Sequence, residues 1–377
     1  MKQGEVIAGY RITTAPTNAG GGKCIWAFAE KAGTAYFIKQ FLEPKRPKDD
    51  ARDSPSLRIR RQLALEFEER HRTIMKRLRP DARGGGNLVL ATDFFHEAST
   101  YYKVTERIDT SSLEKPQALE PRQKMVLLKT LGTSLKQLHD IDVVHGDLKP
   151  LNVLVQKRDD AAFHTAKLID FDDSYVAGKP PAPADISGDS LYGAPEWRRY
   201  LREDGSASAG DLTCAVDVYA LGLMTHLYLT GELPRHDARF GSPADAVDGG
   251  DRLRLDPRLS DVIQELLRAM TQGDPKRRPG MTAYLKTLSD PDVCALRHRR
   301  PGTVAPERKP AAPTGSPTRT SRIRANFKPR TGDPAPAPRP SAPPAEPAPE
   351  PAAAPRSPRS SRVRINLGDR RRDRNAP

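Results

Sequence analysis

The chain has 377 residues, three cysteines and a formal net charge of +14. Cys24, Cys214 and Cys294 lie too far apart for a disulfide framework or a zinc site, and no apolar run reaches the roughly 18 residues needed to span a bilayer. The basicity would suggest a nucleic-acid binder, but residues 297–377 carry 19 Lys and Arg against 6 Asp and Glu, leaving 43 bases and 42 acids in residues 1–296.

In chain order, the first informative segment runs from Asn18 to Trp26 and holds Gly20, Gly21 and Gly22. Glycines let backbone amides approach phosphate oxygens with no side chain in the way. Tyr36 to Phe41, rich in aromatic and β-branched residues, reads as a strand carrying Lys39. The charged, proline-containing stretch from Pro44 to Pro55 reads as a surface insertion. Leu63, Phe67, Ile74, Met75 and Leu78 recur at helical spacing and predict a helix over about residues 59–78, with Glu66, Glu68 and Glu69 on it. Tyr101 to Asp109 is β-rich. The apolar runs Asn152 to Val155 and Ala166 to Ile169 predict a hairpin of two short buried strands.

The chemistry concentrates around that hairpin, in His145-Gly146-Asp147-Leu148-Lys149-Pro150-Leu151-Asn152 and Ile169-Asp170-Phe171-Asp172. An attacking hydroxyl needs a carboxylate that orients it and accepts its proton, and Asp147 is the candidate. Lys149, two residues on, can offset charge on a transferring phosphoryl group. Magnesium prefers oxygen and takes only one or two protein ligands besides phosphates, so Asn152 and Asp170 suffice as the pair. The segment thus predicts phosphoryl transfer from Mg·ATP to a hydroxyl.

These residues resemble the eukaryotic-type (Hanks-type) protein kinases, whose pattern is H-R-D-x-K-P-x-N followed by D-F-G. The chain departs from it at Gly146 and Asp172, and H-G-D-L with I-D-F-D also resembles the small-molecule kinases of the choline and aminoglycoside type. Downstream residues separate the two. Gly188-Asp189-Ser190-Leu191-Tyr192-Gly193-Ala194-Pro195-Glu196 resembles a protein-kinase activation segment ending in A-P-E. Asp217 to Gly222 resembles the central helix of the large lobe, and Asp274-Pro275-Lys276-Arg277-Arg278-Pro279 the late D-P-x-x-R-P.

The resemblance implies an α+β, two-lobed protein-kinase fold over residues 8–290, with a β-rich small lobe at about 8–108 and a helical large lobe at about 109–290. It implies a bacterial-looking, cytoplasmic serine/threonine kinase acting on protein substrates, itself included, with ATP and Mg²⁺ as cofactors. Lys39, in the place of the lysine of V-A-I-K, would contact the α- and β-phosphates, and Glu68 would be its partner. Gly20 and Gly22 would cover the phosphates, although Ile25 falls where G-x-G-x-x-G has its third glycine. Glu106 and Ile108 would hold adenine at the hinge, with Thr105 as gatekeeper. Glu196 and Arg278 would form a buried ion pair beneath the peptide platform, and Lys149 favours Ser/Thr over tyrosine. Gly146 cannot clamp a phosphorylated activation segment as arginine would. Asp172, at the glycine of D-F-G, is a residue that tolerates positive φ. Asp189 replaces a frequent threonine, leaving Ser187 and Ser190 as the nearer phosphorylation sites. The irregular glycine loop and Asp172 keep a pseudokinase acting as a nucleotide-binding scaffold as one alternative, and a small-molecule kinase of the choline or aminoglycoside type is the other.

Half of the 36 prolines fall after residue 300, so residues 297–377 predict a disordered, basic tail. Within it Ser321-Arg322-Ile323-Arg324-Ala325-Asn326-Phe327 recurs as Ser361-Arg362-Val363-Arg364-Ile365-Asn366-Leu367, each copy preceded by Ser-Pro. The repeat predicts a twofold docking or phosphorylation motif in which avidity can operate. RNA or anionic membrane would bind this tail only weakly and with steep salt dependence.

Overall fold

A computed structural model of the chain describes residues 1–19, 22–48, 54–78, 87–108, 115–157, 164–203 and 205–297. Six antiparallel strands form the small lobe: β1 (Val6–Ile7), β2 (Tyr10–Ile12), β3 (Cys24–Lys31), β4 (Thr34–Phe41), β5 (Ala91–Glu97) and β6 (Thr100–Glu106), in spatial order β1-β2-β3-β4-β6-β5. Strand side chains alternate between faces. On β4 this sends Ile38 to one side, into a cluster with Ile7, Tyr10, Ile12, Ala27, Ala29, Tyr102 and Val104. Lys39 and Phe41 go to the other side, where Phe41 packs with Phe67, Phe94 and Tyr101.

Helix α1 (Pro55–Arg77) covers that second face. It starts earlier than the apolar spacing predicts, because Ser54 caps it by accepting from the Leu57 amide and Pro55 occupies the first turn. Its buried stripe is Leu57, Ala64, Phe67, His71 and Ile74, the i, i+3, i+4 pattern of one helix face. Leu63, expected on that stripe, is 40% exposed. The insertion ahead of the helix is not merely superficial: the Arg46 amide donates to the Ser99 carbonyl and its guanidinium to Glu68.

The large lobe contains α2 (Pro121–His139), β7 (Val143–Val144), β8 (Val153–Lys157), β9 (His164–Leu168), β10 (Tyr175–Val176), α3 (Pro195–Arg202), α4 (Ala215–Thr230), α5 (Pro243–Asp248), α6 (Asp261–Met270) and α7 (Met281–Thr287). Leu127, Leu128, Leu131, Leu135 and Leu138 of α2 are almost wholly buried, and α4 is buried nearly all round, as a central helix must be. The predicted hairpin is β8 paired with β9, with Val153 opposite Leu168. The packed unit is wider than residues 8–290. Met1 packs on the small-lobe cluster and β1 begins at Val6; at the far end Cys294 is buried against the large-lobe core and the Arg297 amide donates to the Arg258 carbonyl. The tail beyond Arg297, with both copies of its repeat, lies outside the described residues.

Candidate active site

The loop from His145 to Asn152 is held from below by Asp217, buried on α4. One Asp217 oxygen accepts from the His145 amide at 2.8 Å and contacts His139 Nε2 at 3.0 Å, and the other accepts from the Gly146 amide at 3.1 Å. His145 is fully buried, with Nε2 3.0 Å from the Ile169 carbonyl. Gly146 has φ +81°, and a Cβ there would sit 2.5 Å from the Asp173 carbonyl oxygen. Glycine at this position is therefore a backbone requirement. Gly146→Ala should destabilise the fold by about 1–3 kcal/mol from the left-handed backbone alone, visible as a lowered melting temperature.

Asp147 is buried and its two carboxylate oxygens differ. Oδ2 faces Lys149 Nζ at 2.7 Å and accepts from Asn152 Nδ2 at 3.0 Å, while Oδ1 is buried with no hydrogen-bond partner. Asn152 Nδ2 also donates to the Asp147 carbonyl at 2.8 Å. Its amide nitrogen is thus committed to the loop, which leaves the amide oxygen as the ligand end. The Ile169 amide donates to the Asn152 carbonyl at 3.0 Å, so Asn152 and Asp170 flank the open end of the β8–β9 hairpin. One amide and one carboxylate oxygen at a rigid turn suit a hard divalent cation. The left-handed residue of this turn is Asp170, at φ +67°, and not Asp172 as the family pattern implied.

Lys39 contacts two carboxylates, Asp170 Oδ1 at 2.6 Å and Asp172 Oδ2 at 2.8 Å. Asp172 Oδ1 in turn contacts Lys103 Nζ, on β6, at 2.7 Å. Glu68, expected beside Lys39, is not brought to it. Its carboxylate accepts from Tyr101 Oη at 2.7 Å and Arg46 at 3.0 Å, because Glu68 lies off the buried stripe of α1. Glu66 and Glu69 are exposed. On α1, His71 Nε2 lies 4.0 Å from Asp172 Oδ1, and the neighbouring Arg70 interacts electrostatically with Asp173 and Asp172.

The electrostatics follow this geometry. Burial works against the Lys39 charge, but Asp172 and Asp170 outweigh it and raise its pKa. Burial would raise Asp172, yet Lys103 and Lys39 hold it well below the usual carboxylate range. Asp170 is raised, first by burial and then by Asp172. Burial, followed by the carboxylates of Asp172, Asp147 and Asp170, pushes Asp173 up to about 6.

His71 is pushed down to about 3 by burial and then by Lys103. Its Nδ1 lies 3.0 Å from the Phe67 carbonyl and Nε2 has no partner, so it is the neutral Nδ1–H tautomer. Below its ordinary value of 6.5 the unfolded chain takes up a proton that the folded chain refuses. Stability from this group is thus complete above pH 6.5 and is lost as pH falls toward 3. His71→Phe should reduce the stability lost between about pH 7 and about pH 5 by roughly 2 kcal/mol, measured by denaturant titration. Asp173 acts with the opposite sign, losing stability as pH rises through about 6, and is unchanged by that variant.

The remaining expected residues are spread along the cleft side of the small lobe. Glu106 closes β6 opposite Tyr36, Thr105 lies opposite Phe37, and Ile108 follows half-buried. Gly22 is an exposed turn residue at φ +55°, and Gly20 lies outside the described residues. Trp26 Nε1 donates to the Ala19 carbonyl, tying the start of that turn to β3. Below the cleft, Arg278 and Glu196 form the expected ion pair, doubly bonded at 2.6 and 2.8 Å with both side chains fully buried. Ser190 is exposed and Ser187 half-buried.

Lys103 and His71 had no place in the sequence expectation. A signal for Lys103 existed: it is two residues from Tyr101 and shares its face of β6, which is buried.

A twisted antiparallel lobe joined to a helical lobe, with a lysine and two aspartates meeting beside a carboxylate-bearing loop, is the two-lobed protein-kinase fold. The family profile described as protein kinase domain matches residues 24–288, and the chain belongs to that family. Among curated relatives it is 28% identical over 172 residues to the serine/threonine-protein kinase ULK3 of Xenopus laevis, covering 45% of this chain and 34% of the relative. It is 28% identical over 239 residues to the serine/threonine-protein kinase DCLK3 of Mus musculus, covering 59% and 28%. With protein kinase kin1 of Schizosaccharomyces pombe the identity is 26% over 224 residues, covering 58% and 23%. The chain thus spans about a third or less of the length of these relatives. Among the described residues no helix is long and apolar enough to cross a membrane.

Proposed function

We propose that this chain is a serine/threonine protein kinase that transfers the γ-phosphoryl group of Mg·ATP to protein hydroxyls, its own included. The observation that carries this reading is the asymmetry of Asp147: Lys149 and Asn152 occupy Oδ2, and Oδ1 is left buried and unpartnered. That oxygen is the one suited to orient a substrate hydroxyl and accept its proton. Lys149 steadies the carboxylate and offsets charge on the transferring group. Lys39 would engage the phosphates, Gly20 and Gly22 would cover them, and the backbone around Glu106 and Ile108 would hold adenine. Asn152 and Asp170 would hold magnesium, which when bound neutralises phosphate charge.

Protein, rather than a small molecule, is favoured as the acceptor by the buried Glu196–Arg278 pair that anchors the segment ending at Glu196. The relatives described above, all named as protein kinases, favour the same acceptor class. Three free cysteines, Cys24 and Cys294 buried and Cys214 half-buried, suit a reducing cytoplasm. The tail repeats would dock a protein partner. The test is labelled Mg·ATP with the purified full chain and, in parallel, a basic protein mixture, choline and an aminoglycoside. Label on protein serine and threonine is expected; label on a small molecule, or none anywhere, contradicts the reading.

A further inference from the structure

Lys39 and Lys103 are directly opposed partners in the antiparallel β4–β6 ladder, so their side chains leave the same face of the sheet. Lys103 is 7% exposed and the Lys39 side chain 15%. Two like charges directly opposite on neighbouring strands repel, and buried ammonium groups need a counter-ion to remain charged. Helix α1, which covers this face, offers none: its nearest member of the cluster is His71, and Glu68 is held by Tyr101 and Arg46. The counter-ion comes instead from the loop after β9. The Asp172 carboxylate sits between the two lysines, one oxygen 2.8 Å from Lys39 and the other 2.7 Å from Lys103.

We propose that Asp172 is the positioning residue for Lys39, a bridge that holds the phosphate-binding ammonium in place by anchoring it to Lys103. The inference rests on the kinase reading of the site. It explains why the glycine position of the family's D-F-G holds an aspartate here although its backbone is not left-handed. It also divides labour between the two carboxylates on Lys39. Asp172 holds the lysine independently of Asp170, the residue that would serve a metal, and Lys103 holds Asp172. Placement of the lysine then depends on the loop that carries Asp170 and not on any acidic residue of α1.

The bridge makes a prediction of opposite signs that a residue merely filling space would not. ADP affinity without magnesium is measured by calorimetry on the full chain, and melting temperature on the same samples, for wild type, Asp172→Ala, Lys103→Met and the double variant. Asp172→Ala should lower the melting temperature by several degrees, because it leaves the buried Lys103 ammonium unpaired and takes from Lys39 one of its two carboxylates, and weaken ADP at least about tenfold through a misplaced charged contact. Adding Lys103→Met to Asp172→Ala should raise the melting temperature again, although Lys103→Met alone lowers it, and should leave ADP weak. The double variant also reports if Asp172→Ala alone does not fold. ADP affinity within twofold of wild type in Asp172→Ala, or melting effects of the two substitutions that simply add, overturns the proposal. A wild type that binds no ADP defeats the kinase reading itself, and because the wild type is measured first the two failures are distinct.

Discussion

Asp147→Asn is expected to reduce phosphoryl transfer by about 10²–10⁴-fold while leaving the fold in place. Asparagine keeps the shape of the side chain and an oxygen for the Asn152 amide, now 3.0 Å away. What it removes is the basicity of the second oxygen, which is buried and has no other use in the fold. The Asp217 contacts that support the loop, through the His145 and Gly146 amides, are untouched. A steady-state assay with matched melting curves checks both halves: rate lost, melting temperature within a few degrees of wild type.

The largest effect on stability is expected at the other end of the large lobe. Arg278→Ala leaves Glu196 as an uncompensated charge with a side chain at 0% exposure. The arginine also donates to the Gln272 and Ala215 carbonyls and packs over the Tyr219 ring, so its removal orphans several groups together. Breaking a buried pair in this way costs about 3–5 kcal/mol, or roughly 5–8 °C in melting temperature for a domain of this size. The pair joins α3, at the end of the activation segment, to the turn before α7. Peptide phosphorylation should therefore fail at temperatures where nucleotide still binds, which calorimetry with ADP at graded temperatures would show.

The parts of the site that were legible in the sequence share one property: their geometry is local. Asp147, Lys149 and Asn152 lie within six residues, and the hairpin that brings Asp170 to them is itself short, so spacing and residue type carry the arrangement. Glu196 and Arg278 are distant in sequence, yet each sits in a motif whose context is local. The Lys39 counter-ion is different. It depends on the phase of α1, which a Ser54–Pro55 start and a Leu57–Ala64–Phe67–His71–Ile74 stripe determine, and on a strand register that sets Lys103 opposite Lys39. Choosing among Glu66, Glu68 and Glu69 by spacing alone left out the answer, since none of the three lies on the stripe. The family pattern assigns Asp172 a turn role through its backbone, whereas its side chain, between Lys39 and Lys103, is what the fold uses. The exposed Leu63 shows the same limit: an apolar residue at helical spacing need not be on the buried face.

The central claim, that Asp147 directs phosphate onto protein serine and threonine, is tested most directly by mapping phosphosites by mass spectrometry on the full chain after incubation with Mg·ATP, wild type against Asp147→Asn. Phosphoserine and phosphothreonine, present in the wild type and absent from the variant, are the predicted result. Equal phosphorylation of the two proteins, or none on the wild type while a small-molecule acceptor is labelled, would contradict it.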